Sequence, residues 1–305
     1  MASMAKVVVT GGAGFIGSHI VDALVGRGDE VHVIDNYAAG KFENRFNKQA
    51  TYHEVDIRER KKIEPIIADA AGVFHLAALP RVQFSIDHPE ESHDVNVDGT
   101  LSVLLACKDG RVGKVVYTAS SSAYGDQPTL PLTETMLPAP KSPYALQKYV
   151  GEHYCRVFST VFGLRTVSLR YFNVYGPRFD PEGPYAQAIG KFLKFRKEGK
   201  PLTIWGDGEQ TRDCVHVSDV VRANLLAMEK DTVGKGEVIN IGSGRDVSVN
   251  EIARLIGGET IHESPRIEAR NTRADITKAR EILGWEPTIR IEDGIAELKK
   301  EMGIA

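Results

Sequence analysis

Thr10-Gly11-Gly12-Ala13-Gly14-Phe15-Ile16-Gly17 follows directly on the apolar run Lys6–Thr10 and leads into Phe15–Arg27, a stretch with helical periodicity. A strand that turns through glycines into a helix is a ready phosphate site. Gly11 permits the tight turn, Gly14 lets the backbone approach a pyrophosphate, and Gly17 allows close helix-to-strand contact, while the helix N-terminus supplies N–H donors and a positive dipole. Asp35 lies 18 residues beyond Gly17, at the end of the next apolar run Val31–Ile34. A carboxylate there accepts both ribose hydroxyls of an adenosine and repels a 2′-phosphate, which favours NAD over NADP. Asp56-Ile57 closes the third run, Thr51–Val55, and either receives the adenine through a carboxylate hydrogen bond and an apolar contact or caps the following helix.

Outward from this turn the alternation continues. Gly72–Leu76, Val112–Thr118 and Leu164–Leu169 read as further buried strands, with helical stretches at Arg58–Ala68, Ser92–Cys107 and Pro143–Phe162. Short apolar strands separated by helices predict right-handed βαβ units, and so a doubly wound parallel sheet of the Rossmann α/β class. After Arg170 the pattern loosens at Gly176-Pro177, Asp180-Pro181-Glu182-Gly183-Pro184 and Gly206-Asp207-Gly208. The expected organisation is an NAD-binding domain over residues 1–170, with a return of the chain around 214–245, and a smaller α/β substrate lobe over 171–305. Val238–Ile241, followed by a helix from Val249, reads as the returning strand.

Composition narrows the function classes. The 305 residues are 42% hydrophobic and 26% charged, which suits a globular chain, and 38 Lys+Arg against 41 Asp+Glu give a net charge of -3. No basic stripe is present, so neither nucleic acid nor an anionic membrane is an expected partner. The longest apolar run, Val103–Cys107, falls far short of a membrane span. The N-terminus lacks the basic and apolar regions of a secretory leader. Cys107, Cys155 and Cys214 are odd in number and widely spaced, and no HxxxH or HExxH occurs among the nine histidines, so neither a disulfide framework nor a metal site is expected. A soluble protein of the reducing cytoplasm is the expectation. His75, inside an apolar strand, and Cys107 and Cys155, on helices, read as core side chains.

Tyr144-Ala145-Leu146-Gln147-Lys148 places a phenol and an ammonium one helical turn apart, about 6 Å along the axis. A tyrosine with a pKa near 10 becomes a base at pH 7 only if the phenolate gains about 4 kcal/mol, which a nearby ammonium and a cationic nicotinamide ring can supply together. The spacing occurs twice, because Tyr37 and Lys41 also fit YxxxK. That copy lies in a glycine-bearing loop with no helix to hold it, whereas the Tyr144 copy follows Ser142-Pro143, a helix start. The fifth strand runs into Ser120-Ser121-Ser122 at the sheet edge where open α/β folds bind ligands, and Ser120 is the first candidate to bond the substrate oxygen that the phenolate deprotonates.

With these residues in place, the sequence resembles the extended short-chain dehydrogenase/reductases, and within them the NAD-dependent nucleotide-sugar 4-epimerases of the UDP-glucose and UDP-N-acetylglucosamine type. The resemblance runs from Gly11–Gly17 through Ser120, Tyr144 and Lys148 to Arg170-Tyr171-Phe172-Asn173-Val174-Tyr175-Gly176-Pro177 and Gly206-Asp207-Gly208-Glu209-Gln210-Thr211-Arg212-Asp213. It implies Tyr144, Lys148 and Ser120 as the catalytic group. Candidate cofactor contacts are Gly11, Gly14, Phe15, Ile16, Gly17, Asp35, Asn36, Asp56 and Ile57, then Leu76, Ala77, Ala78 and Asn96, with Tyr144 and Lys148. Ser120, Ser121, Ser122 and Tyr144 are candidate sugar contacts, while Asn173, Arg212 and Arg266 are implied at the sugar-nucleotide diphosphate.

Related 4,6-dehydratases carry Thr-Asp-Glu where this chain has Ser120, Ser121 and Ser122, and related decarboxylases keep a glutamate at the third position. Without those acids elimination lacks its proton donor and base, whereas epimerisation needs neither. Thr272 aligns with the family's sugar-pocket gatekeeper, and its small size leaves room for an N-acetyl group beside UDP-glucose and UDP-galactose. The resemblance also implies a homodimer through the helices Ser92–Cys107 and Pro143–Phe162.

Overall fold

Val7, Val8 and Val9 are all buried, although successive residues of a strand point to opposite faces. Both faces of their sheet are therefore covered, which is why the strands read as continuous apolar runs. The computed structural model describes residues 5–179, 188–264 and 270–304. Its first part alternates β1 (Lys6–Thr10), α1 (Phe15–Gly26), β2 (Glu30–Asp35), β3 (Thr51–Glu54), α2 (Arg60–Ile67), β4 (Gly72–His75), α3 (Val82–Asp87), α4 (Pro89–His93), α5 (Gly99–Asp109), β5 (Val115–Ser120), α6 (Pro143–Phe162) and β6 (Thr166–Tyr171). Then come β7 (Asn173–Tyr175), α7 (Ala188–Lys197), β8 (Leu202–Trp205), β9 (Thr211–His216), α8 (Val217–Glu229), β10 (Lys235–Ile241), β11 (Asp246–Ser248), α9 (Val249–Ile256), β12 (Thr260–Glu263), α10 (Thr277–Leu283) and α11 (Ile291–Glu301).

Seven parallel strands form the main sheet in the order β10-β6-β5-β4-β1-β2-β3. This is the expected doubly wound α/β fold. Val7 and Val9 face a core shared with Ile20 and Leu24 of α1 and Val220 of α8, while Val8 faces one built from Ile63 of α2, Leu104 of α5 and Phe158 of α6. β10 lies parallel to β6 with Asn240 beside Arg170 and forms one end of the seven-stranded sheet. β7, β9 and β11 form a three-stranded sheet and β8 and β12 a two-stranded one. Phe192 and Leu193 of α7, Ile252 of α9 and Leu298 of α11 form a third core with these small sheets.

α6 has the expected bounds because both ends carry strong local signals. The Ala145 N–H donates to Ser142 Oγ at 3.2 Å, Pro143 occupies the first turn, and Gly163 ends the helix at φ +71°. The continuous helix expected over Ser92–Cys107 is instead divided: α4 ends at His93, a wider π-turn spans Asp94–Asp98, and α5 starts at Gly99. Gly99 faces Ile57, whose Cδ1 would lie 2.6 Å from a Cβ there, so a larger residue at 99 would have to push the Ile57 side chain aside. The fifth strand begins at Val115 rather than Val112, after a turn in which Arg111 adopts φ +54°.

His75 is buried as expected, with Nδ1 2.7 Å from Thr10 Oγ1 and Nε2 3.0 Å from Thr100 Oγ1. Burial lowers its pKa to about 3, so the ring is neutral. All three cysteines are buried free thiols. Among the described residues no helix is long and apolar enough to cross a membrane, and no group of three or more His, Cys, Asp or Glu is placed to hold a metal ion.

Candidate active site

The parallel strands β1 to β6 end along one edge of the sheet, where the glycine turn follows β1, Asp35 closes β2, Leu76 follows β4 and Ser120 closes β5. Gly11 has φ +71°, and a Cβ on it would lie 2.7 Å from the Ala77 nitrogen, so the turn accepts no side chain there. A Cβ on Gly17 would collide with the Gly11 carbonyl oxygen, which seats the first turn of α1 directly on the glycine turn. Gly12, within the turn itself, would place a Cβ 2.7 Å from Val33 of β2. α1 starts after Gly14 with no side-chain cap, and Phe15 and Ile16 are half-buried in its first turn. An uncapped helix N-terminus above side-chain-free backbone fits a pyrophosphate.

Asp35 accepts from the Ala13 N–H at 3.0 Å and the Tyr37 N–H at 2.8 Å, so the acid ties the end of β2 to the glycine turn. Its burial holds the carboxyl above the usual range. Asn36 donates to Asp56 at 2.9 Å, and Asp56 also accepts from Arg58 Nε at 2.9 Å and Nη2 at 2.8 Å, which pulls its pKa down. Of the two readings of Asp56, the cap on α2 does not hold, because the capping position is Glu59. Ile57 is buried. Leu76 and Ala77 bond β1 through Thr10, at 3.0 and 3.2 Å, and Ala78 follows half-buried. Asn96 is buried and engaged with the chain itself: Leu79 N–H donates to its Oδ1 at 2.7 Å, and its Nδ2 donates to Leu79 O at 3.0 Å and Gln147 Oε1 at 2.9 Å. Its side chain thereby joins the segment after β4 to α6.

Tyr144 is half-buried in the first turn of α6, where its backbone N–H donates to Ser85 Oγ of α3 at 3.1 Å. Lys148 is buried one turn further on and its ammonium donates to Thr118 O at 2.9 Å, with the Tyr117 ring centroid 5.0 Å away. Burial lowers its pKa to about 8. Thr118 is two residues before Ser120, so the bond ties the Tyr-Lys helix to the serine strand. At the strand end Ser122 donates to Ser120 Oγ twice, from its N–H at 3.2 Å and from its hydroxyl at 2.8 Å. Ser121 begins the short 3-10 turn Ser121–Tyr124, against which α6 rests.

Across the edge, Asn173, Arg212 and Thr272 converge on residues 211–213. Asn173 Nδ2 donates to Asp213 O at 3.0 Å, Arg212 Nη1 donates to Thr211 O at 2.8 Å and Arg270 O at 3.2 Å, and Thr272 Oγ1 accepts from the Asp213 N–H at 3.3 Å. Arg266 lies outside the described residues.

Two features here were not singled out from the sequence. Glu152, one turn beyond Lys148, forms a buried ion pair with Arg170 of β6 at 2.7 Å, and the guanidinium lies 4.5 Å from the Tyr124 ring centroid. Asp213 is buried and accepts from Ser243 N–H at 2.6 Å, Ser243 Oγ at 2.8 Å, Gly244 N–H at 3.0 Å and Ala274 N–H at 2.9 Å. An acid four residues after Lys148 and a charged residue in each apolar strand were the available signals.

A parallel sheet with an uncapped glycine turn on one strand, an acid closing the next and a helix bearing a half-buried tyrosine and a buried lysine beside a serine strand defines an enzyme of the short-chain dehydrogenase/reductase class. Comparison with known proteins narrows the class. Residues 7–242 match the model of the NAD dependent epimerase/dehydratase family, and the chain belongs to that family. NAD is its cofactor, and the uncapped α1 N-terminus with Gly11, Gly14 and Asp35 suits it. A UDP-glucose 4-epimerase from Mycolicibacterium smegmatis is 37% identical over an alignment that covers 96% of each chain. A Thermotoga maritima UDP-glucose 4-epimerase solved with UDP-glucose superposes with a TM-score of 0.92 at 40% identity, covering 97% of this chain and 99% of that one. A UDP-N-acetylglucosamine 4-epimerase from Methanobrevibacter ruminantium, solved with UDP-N-acetylmuramic acid, gives 0.92 at 37% identity and 97% coverage of each.

Proposed function

We propose that the chain interconverts the C4 epimers of a UDP-hexose, UDP-glucose with UDP-galactose or their N-acetylamino counterparts, through a 4-keto sugar. The observation that carries this reading is the buried Lys148 ammonium bonded to Thr118 O, one turn from Tyr144 and two residues from Ser120. Bound NAD supplies the acceptor, and on the return the donor, of the C4 hydride. Tyr144, as phenolate, takes the proton of the sugar O4 as that hydride leaves, and returns it after the hydride has come back on the opposite face. Lys148 places a positive charge beside the phenol, and Ser120 donates to the same oxygen. Asn173, Arg212 and Arg266 hold the diphosphate while the keto sugar turns over, and Thr272 leaves space for an N-acetyl group.

Related dehydratases carry acids where this chain has Ser121 and Ser122, and related decarboxylases a glutamate where it has Ser122, so epimerisation is the reading the serines favour. Incubation of the purified protein with UDP-glucose and UDP-N-acetylglucosamine, followed by NMR, tests it. The expected product is the C4 epimer of at least one. A 6-deoxy-4-keto product, or no epimer from either, overturns the proposal. The reading extends to a homodimer through α5 and α6, supported by exposed Leu146, Val157, Val161 and Phe162 along α6, and to the reducing cytoplasm, supported by three free thiols. Light scattering is expected to give twice the chain mass.

A further inference from the structure

We infer that Ser122 is a positioning residue that fixes the Ser120 hydroxyl as a hydrogen-bond donor. The inference rests on the assignment of Ser120 to the substrate O4. A serine hydroxyl carries one proton and two lone pairs, and its rotor ordinarily turns to offer whichever a partner requires. In Ser120 both lone pairs are taken from within the turn, one by the Ser122 N–H at 3.2 Å and one by the Ser122 hydroxyl at 2.8 Å. Only its proton remains to be offered to a third group.

The turn that holds this arrangement is anchored at its far end. The Tyr124 hydroxyl donates to Asn240 Oδ1 of β10 at 2.7 Å, and Gly125, at φ +61°, lies where a Cβ would collide with Ala139 O. Ser120 itself is extended, at φ -145° and ψ 139°, as the cap of the Ser121–Tyr124 turn.

The polarity matters because the substrate oxygen changes character during the reaction. O4 begins as a hydroxyl and ends the first half-reaction as a carbonyl oxygen with no proton, so a lone pair aimed at it repels while a fixed donor stabilises the developing charge. Ser122 removes the repulsive arrangement before the substrate arrives. An ionised carboxylate at position 122 would accept from Ser120 and reverse that polarity.

The test is a double-mutant cycle on the UDP-hexose that the wild-type enzyme turns over. Ser122→Ala is expected to lower kcat about 5- to 10-fold, the worth of one modest hydrogen bond, with KM changed less than about twofold. Ser122→Thr, which keeps the hydroxyl, restores kcat to within about twofold. On a Ser120→Ala background, Ser122→Ala costs nothing further, because the hydroxyl it orients is gone. A general loosening of the turn would instead lower kcat equally in both backgrounds and would not be relieved by threonine. Wild-type kcat in Ser122→Ala, or an equal loss in both backgrounds, overturns the inference. Undiminished kcat in Ser120→Ala removes the site assignment beneath it, whereas a crippled Ser120→Ala beside an intact Ser122→Ala removes this inference alone.

Discussion

Two segments of the chain carry the same spacing, Tyr144 with Lys148 and Tyr37 with Lys41, and they differ in every property that chemistry needs. Tyr37 lies in a loop after β2 at φ +55°, with the Lys41 ammonium 4.2 Å from its ring centroid. Lys41 is exposed and paired with Glu54 at 2.8 Å, which keeps its pKa above the usual lysine value. Partial burial and the nearby Asp35 carboxylate push the Tyr37 phenol up, away from any role as a base. Lys148 is instead buried, bonded to Thr118 O and brought down to about pKa 8. A rigid helix against a sheet keeps the cation where a phenolate can use it, and a solvated loop neutralises the cation with a carboxylate. Spacing alone therefore carries no activity; the element beneath it decides.

The largest effect that can break this comparison is at the phenol. Tyr144→Phe is expected to lower kcat at least about 10³-fold, because the proton acceptor is removed, with UDP-sugar affinity kept within a few fold by calorimetry. Tyr37→Phe is expected to leave kcat within about twofold. Equal losses in the two variants would erase the distinction. Next comes the lysine: Lys148→Met is expected to cost about 10²-fold in kcat while Lys41→Ala is silent. A pH profile sharpens the test. With a folded pKa of about 8, the Lys148 ammonium is present below that pH and lost above it, so wild-type kcat should fall as pH rises through about 8. Lys148→Met should lack that limb. Because folding lowers this pKa from 10.5, the unfolded chain holds the extra proton between those values; the cost to stability is full below about pH 8 and lifts as pH rises through that window.

What could be read in advance follows the range of the interaction. β1 and α6 are set by neighbours in sequence, a run of valines for one and Ser142, Pro143 and Gly163 for the other, and their bounds were legible. The π-turn at Asp94–Asp98 was not, since nothing within the helical pattern announces a widened turn whose Asn96 is bonded to Leu79, 17 residues away. The same holds for the Glu152 and Arg170 pair, which exists only once α6 lies on β6, and for Asp213, whose donors come from two other segments of the chain. At the candidate site the residue types that do chemistry were visible as motifs. The bonds that orient them, such as Lys148 to Thr118 O, required the fold.

The smallest effect concerns the adenosine side, where the Tyr37 loop begins. Asp35 accepts two backbone N–H groups, from Ala13 and Tyr37, and so has a structural task whether or not it meets a ribose. Loss of those bonds alone would loosen the turn without altering preference between dinucleotides. Loss of a carboxylate facing the ribose would weaken NAD and relieve the repulsion of a 2′-phosphate together. Asp35→Ala is therefore expected to weaken NAD about 10-fold, the worth of one charged hydrogen bond at the lower end, and to narrow the NAD preference over NADP, as read by paired calorimetric titrations. Equal weakening of both dinucleotides would assign Asp35 to the turn alone. The segment bearing the unused Tyr-Lys copy would then have no part in cofactor choice.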